Sequence, residues 1–338
     1  MGRRVVILAV SLSWLMLLAG CTVVKKKPLD PFMGDFEGTF TPHGGQTIKA
    51  QAKVIANGDD TYWVVIIYPA ADAKATRIEL TGRGKDDEVV IISRDWSNDP
   101  VPAKWTGKVT KDTLSIASED AKGGKAEMKR VEWKSPTLGQ KPPADAVVLL
   151  PFEKGKATNL DQWDNKRWTC LPDGSVLVGG GDNRTNQEFG SFKLHLEFYV
   201  PFMPAKPDST RGNSGIFLHN RYKVEVVDSF GLKPNEWACG AICGVKAPDV
   251  DASLPPGRWQ TYDIEFKAPR FDKAQIVHIR NALITVLLNG VKIQKAVDVE
   301  WGTSGGLGYP TPTGPIRLQD HADPVQFRNI WLVKEKEL

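Results

Sequence analysis

A period of two dominates this chain and limits it to extended structure. In Phe192-Lys193-Leu194-His195-Leu196-Glu197-Phe198 the even positions are apolar and the odd ones polar, so a strand here buries one face and presents His195 and Glu197 together on the other. Similar runs recur from Ile48 to Val333, and no helix-period segment competes with them. Thirty-one Gly and 23 Pro residues without a period supply the turns between short strands, so the expected fold class is all-β.

The strand runs fall into two groups. Residues 36–134 carry seven of them, separated by turns such as Asn57-Gly58-Asp59-Asp60, and predict a small antiparallel accessory domain. Residues 135–146 hold Pro136, Pro142 and Pro143 with few large apolar side chains, and read as a linker. Residues 147–338 form a second unit, predicted as two packed antiparallel sheets with an Asn289-Gly290 hairpin.

The first residues read as an address. Met1–Arg4 is basic, Val5–Ala19 is apolar but too short for a stable membrane-spanning helix, and Leu18-Ala19-Gly20-Cys21 resembles a bacterial lipobox. Residues 1–20 are therefore expected to be a lipoprotein signal peptide, Cys21 the acylated N-terminus, and residues 21–35 a tether to the cell envelope, with Thr22 favouring the outer membrane. Lys and Arg number 44 against 40 Asp and Glu, which gives no electrostatic case for nucleic acid. Cys170, Cys239 and Cys243 remain, an odd number without a CxxC or zinc-site spacing, and read as buried or structural thiols.

Alternation also sorts the polar groups of the second unit. Lys223 and Glu225 share a face opposite Tyr222, Val224 and Val226, and Arg317, Gln319 and His321 line up opposite Ile316 and Leu318. Arg328 and Asn329 return on the last strand, and the loop Arg211-Gly212-Asn213-Ser214-Gly215 feeds the strand that leads to His219. Polar strand faces commonly meet only water. If these converge on one sheet, they make a groove of carboxylate, imidazole, amide and guanidinium groups suited to a hydroxyl-rich ligand. The Glu-x-Asp-x-Glu strand of laminarinase-type glycosidases is absent.

From about Val147 onward, Gly212-Asn213-Ser214-Gly215-Ile216-Phe217-Leu218, Val227-Asp228-Ser229-Phe230-Gly231-Leu232, Leu254-Pro255-Pro256-Gly257-Arg258-Trp259 and Gly314-Pro315-Ile316-Arg317-Leu318-Gln319-Asp320-His321 follow in order. This series resembles the 3-keto-disaccharide hydrolase domain family. The resemblance implies a concanavalin-like jelly-roll sandwich that cleaves glycosides already oxidised at C3, so a partner sugar 3-dehydrogenase is implied. It requires a base for the C2 proton and a donor group or divalent metal for the enolate charge. On that basis Glu225 is expected to be the general base or a metal ligand, with His219, Glu197 and His321 assisting. Arg317, Gln319, Arg328 and Asn213 are expected to bind substrate, while Asp263 fits a structural role as well as a functional one. The family usually has Tyr-Glu-Val-Gln where this chain has Tyr222-Lys223-Val224-Glu225. That exchange either moves the carboxylate two residues along one face or marks a non-catalytic carbohydrate-binding or cell-envelope module.

Overall fold

The computed structural model describes residues 29–69, 75–92, 104–118, 123–207, 210–272, 274 and 277–335. The expected signal peptide, Cys21 and most of the tether lie outside them. Strands β1 (Gly34–Pro42), β2 (Ile48–Gly58), β3 (Thr61–Pro69), β4 (Ala75–Lys85), β5 (Glu88–Ile91), β6 (Trp105–Val109), β7 (Thr113–Ser118) and β8 (Gly124–Val131) close into an antiparallel barrel in sequence order, with β1 hydrogen-bonded to β8. Closure removes the exposed edges that an open sheet of this size would leave. Alternate residues such as Phe36, Phe40, Val54, Val64, Leu80, Trp105 and Ile116 fill the interior. The predicted turn falls between β2 and β3, where Gly58, Asp59 and Asp60 all take positive φ and Thr61 Oγ1 donates to the Gly58 carbonyl at 2.6 Å.

The second unit begins with β9 (Val147–Leu150), β10 (Thr169–Cys170), β11 (Val176–Leu177), β12 (Asn183–Arg184), β13 (Phe192–Tyr199), β14 (Ser214–Leu218) and β15 (Tyr222–Val226). It continues with β16 (Trp259–Lys267), β17 (Arg270–Phe271), β18 (His278–Arg280), β19 (Ala282–Leu288), β20 (Val291–Val299), β21 (Arg317–Leu318) and β22 (Gln326–Lys334). The larger sheet runs β10-β11-β22-β13-β16-β19-β20 with β9 beside β22, and the smaller runs β12-β21-β14-β15. One apolar cluster joins Leu194, Leu196, Phe198, Ile264 and Phe327 of the larger sheet to Ile216, Leu218, Val224, Val226 and Leu318 of the smaller. The β19–β20 connection is the predicted Asn289-Gly290 pair, with φ of 52° and 83°.

Barrel and sandwich are fastened by the sandwich segment after β15. Phe230 belongs to the apolar cluster of the barrel, and Lys53 of β2 lies 3.4 Å from Asp35 and 3.3 Å from Asp251. Residues 135–140 do not hang free between the units. They lie on the larger sheet, where Ser135 and Thr137 hydroxyls bond to Thr261 at 2.6 and 3.0 Å.

Candidate active site

The sandwich has two outward faces, and the structure divides the expected site residues between them. On the larger sheet, Glu197 of β13 is fully buried beneath residues 137–140. Its Oε1 accepts from the Gly139 amide at 2.6 Å and from Asn329 Nδ2 at 2.8 Å, and its Oε2 accepts from Arg328 Nε at 2.6 Å. A register shift between His195 and Glu197 marks a bulge in β22, with Asn329 at φ 49°. The bulge turns the consecutive Arg328 and Asn329 onto the same carboxylate, whereas plain alternation would send them to opposite faces.

His195 completes this cluster. Its Nδ1 lies 2.7 Å from Asp263 Oδ1, its Nε2 lies 3.9 Å from Glu197 Oε1, and its ring stacks on Trp331 at 4.9 Å. Burial opposes charging the imidazole, but the Asp263 and Glu197 partners prevail and its pKa is raised. Burial likewise opposes ionising Glu197, yet the neighbouring His195 imidazole, the Asn329 hydrogen bond and the Arg328 charge pull its pKa down to about 2. Arg328 is clamped between Phe152 and Trp259, with ring centroids 4.3 and 4.0 Å away. This network has no oxygen of Glu197 left to offer.

His219 belongs to neither face. It follows β14 at φ 53° and is fully buried against Phe192 and Phe266, with Nε2 3.0 Å from the Gly190 carbonyl. Burial drives its pKa down to about 4, so it is neutral at physiological pH. The expectation that Glu197, His219 and Arg328 converge with Glu225 is thus corrected: two sheets and an apolar core separate Glu197 from Glu225, and His219 is held within that core.

The outer face of the smaller sheet does assemble the remaining residues. Gly215 of β14 pairs with Glu225 of β15, and the Gln319 amide donates to the Gly215 carbonyl at 2.9 Å, so Gln319, Gly215 and Glu225 form one row across three chain segments. Phe217 pairs with both Lys223 and Arg317, which makes the next row. The Arg317 guanidinium lies 3.7 Å over the Phe217 ring and 3.4 Å from Asp182, and it donates to the Gly305 carbonyl at 2.5 Å. Lys223 Nζ reaches Glu225 Oε1 at 2.7 Å.

Both faces leave buried polar atoms unmet, His195 Nε2 and Trp331 Nε1 on the larger sheet, but only the smaller sheet leaves a carboxylate and amide oxygens so. Glu225 Oε2, Gln319 Oε1 and Asn213 Oδ1 are buried acceptors without a hydrogen-bond partner. Such atoms each cost a large desolvation penalty unless a donor arrives. Glu225 is 2% exposed at the floor, whereas Gln319 and Asn213 are partly open and His321 is exposed at the rim. Desolvation raises the Glu225 pKa against the opposing pull of Lys223.

A divalent cation does not fit this donor set. Among the described residues no three His, Cys, Asp or Glu side chains gather to hold one. Glu225 already faces the Lys223 ammonium, and Asp182 already faces Arg317 in the next row. Sugar hydroxyls, which donate without adding charge, suit the orphaned oxygens better. Sequence reasoning had no signal for Asp182 or Thr303, whose hydroxyl accepts from the Lys223 amide at 2.7 Å, because both come from loops distant in sequence. Volume does not mark the site either. A recess of about 400 Å³ lies elsewhere, where Trp63, Arg77 and Glu79 of the barrel meet Leu232 and Lys233, and it is lined without any of the orphaned acceptors.

Among described residues Cys170, Cys239 and Cys243 are free thiols. Cys239 and Cys243 are buried, as structural thiols are expected to be, and Cys239 Sγ lies 3.1 Å from the Tyr262 hydroxyl.

The model of the 3-keto-alpha-glucoside-1,2-lyase-like domain matches residues 147–333, more than half of the chain and the whole of both sandwich sheets apart from one terminal residue. A crystal structure from Parabacteroides distasonis ATCC 8503, described by inference as a glycosyl hydrolase, is 32% identical and superposes with a TM-score of 0.51, covering 58% of this chain and 86% of its own. A second from the same organism, described likewise, is 17% identical with a TM-score of 0.40, covering 53% and 90%. No curated protein matches the chain significantly.

Proposed function

The chain belongs to the 3-keto-alpha-glucoside-1,2-lyase-like domain family, and from that premise we propose that it cleaves 3-keto-glycosides on the outer face of the smaller sheet. The observation that carries this reading is the trio of unpartnered buried acceptors, Glu225 Oε2, Gln319 Oε1 and Asn213 Oδ1, set on the family-matched domain. Gln319 and Asn213 receive sugar hydroxyls and fix the ring. Glu225 removes the C2 proton, which the neighbouring C3 ketone makes acidic, and the glycosidic oxygen leaves from C1. Water then adds at C1, so the net reaction is hydrolysis. The cationic groups of the second row offset the charge that collects on the ketone oxygen.

The substrate must be supplied by an oxidation of a sugar hydroxyl at C3, which is the work of a partner dehydrogenase. The basic start, apolar run and Cys21 support a protein exported to the bacterial envelope and held there, on the outer membrane, by acyl chains.

Incubating the purified protein with 3-keto-trehalose and measuring free glucose, with and without EDTA, tests the reading. Release that survives EDTA is expected. Binding of 3-keto-trehalose by calorimetry without release would instead favour a carbohydrate-binding module.

A further inference from the structure

We propose that Lys223 is a covalent catalyst whose amine condenses with the C3 ketone of the sugar, with Glu225 carrying the protons. The inference rests on the reading above that this face receives a 3-keto sugar, and deepens it by naming the group that takes the ketone.

The geometry is specific. The Lys223 stem lies across Gly215, where an added Cβ would meet Lys223 Cε at 2.2 Å and Cγ at 3.0 Å. Only glycine at 215 leaves room for the lysine to cross the sheet and bring Nζ within 2.7 Å of Glu225 Oε1. The side chains of both residues are almost withdrawn from water, at 7% and 3% exposure, and Nζ sits 6.0 Å from the Phe217 ring centre. A surface ion pair needs none of this construction. Cys243 and His321 are the other titratable groups that face Glu225, and the Glu225 pKa is raised by its burial.

Along its 2.7 Å hydrogen bond the Lys223 ammonium gives a proton to Glu225 Oε1, which frees the amine as a nucleophile and leaves Glu225 as the acid. The amine attacks C3, the carbinolamine oxygen takes the proton back from Glu225 and leaves as water, and a C=N iminium forms. Glu225, again a carboxylate, removes the C2 proton. The enamine electrons expel the C1 oxygen, which departs with that proton as the alcohol. One water adds at C1 and a second hydrolyses the C=N bond, returning the ketone and Lys223. One water is released and two are consumed, which is net hydrolysis with no oxidant, reductant or metal. Arg317, on the same face, is a cation that cannot form this bond.

The test is reductive trapping. The full chain is incubated with 3-keto-trehalose and sodium cyanoborohydride, digested and analysed by peptide mass spectrometry. A sugar adduct on the peptide carrying Lys223 is expected, together with progressive loss of turnover. Lys223→Arg, which keeps the charge, is expected to lose the adduct and at least 100-fold of the rate. Glucose release without an adduct at Lys223, or Lys223→Arg within tenfold of wild type, overturns the proposal while leaving the cleavage reading standing. Neither release nor adduct from wild type overturns both. The trapping of wild-type protein decides the matter even if Lys223→Arg fails to fold.

Discussion

The two outer faces of the sandwich each carry a buried glutamate beside a cation, and they differ in what the carboxylate still lacks. Glu197 has both oxygens occupied, under a lid made by residues 137–140. Glu225 has one oxygen on Lys223 and the other without a hydrogen-bond partner, with only the weakly donating Cys243 thiol beside the carboxyl. A saturated carboxylate holds the fold together, whereas an incompletely satisfied one holds a place for something else. Burial alone separates them poorly, since both side chains are nearly inaccessible.

The sharpest way to break this contrast is Glu225→Gln. It is expected to lower kcat/KM per folded molecule by about 1,000-fold, in the range a positioned base contributes, and also to lower the melting temperature, because the buried Lys223 ammonium loses its charge partner. A fully active variant would remove Glu225 from the site. Glu197→Gln is the mirror experiment: it strands Arg328 and turns an amide donor toward the Gly139 and Asn329 donors, at a cost of about 3 kcal/mol of stability. Turnover per folded molecule should hold. Because the folded pKa of Glu197 is depressed to about 2, its contribution is present above the ordinary value of 4.5 and is lost as pH falls from there. Denaturant titrations of the two proteins should therefore converge in acid, and a constant gap would contradict the network.

His219 adds a contribution of a different sign. Its folded pKa is depressed from 6.5 to about 4, so the unfolded chain binds the extra proton first and wild type loses stability as pH drops through that window. Relative to His219→Asn the difference should approach about 3 kcal/mol by pH 4, as read by urea unfolding of both proteins at matched pH. A flat difference would show that the imidazole charges in place. The smallest effect is expected for Gln319→Ala, which removes one neutral hydrogen bond worth about 1 kcal/mol. KM for 3-keto-trehalose should rise about fivefold with kcat nearly constant, and an unchanged KM would take Gln319 off the ligand.

Much of this was legible in advance. The Asn57–Asp60 and Asn289-Gly290 turns appear where their residues favour positive φ, and the shared face of Arg317 and Gln319 emerges from a period-two count. The same counting set Lys223 beside Glu225. It failed for Arg328 and Asn329, because a bulge cancels alternation locally, and for His219, because a hairpin at positive φ redirects the side chain into the core.

The sequence by itself determined which residues of each strand point the same way, since that follows from the backbone repeat and from which side chains water excludes. It could not determine which strand faces share a side of the sandwich. Sheet order, the placing of residues 137–140 over Glu197 and the crossing of Lys223 over Gly215 join residues far apart along the chain, and only the packing of the two sheets brings them into contact.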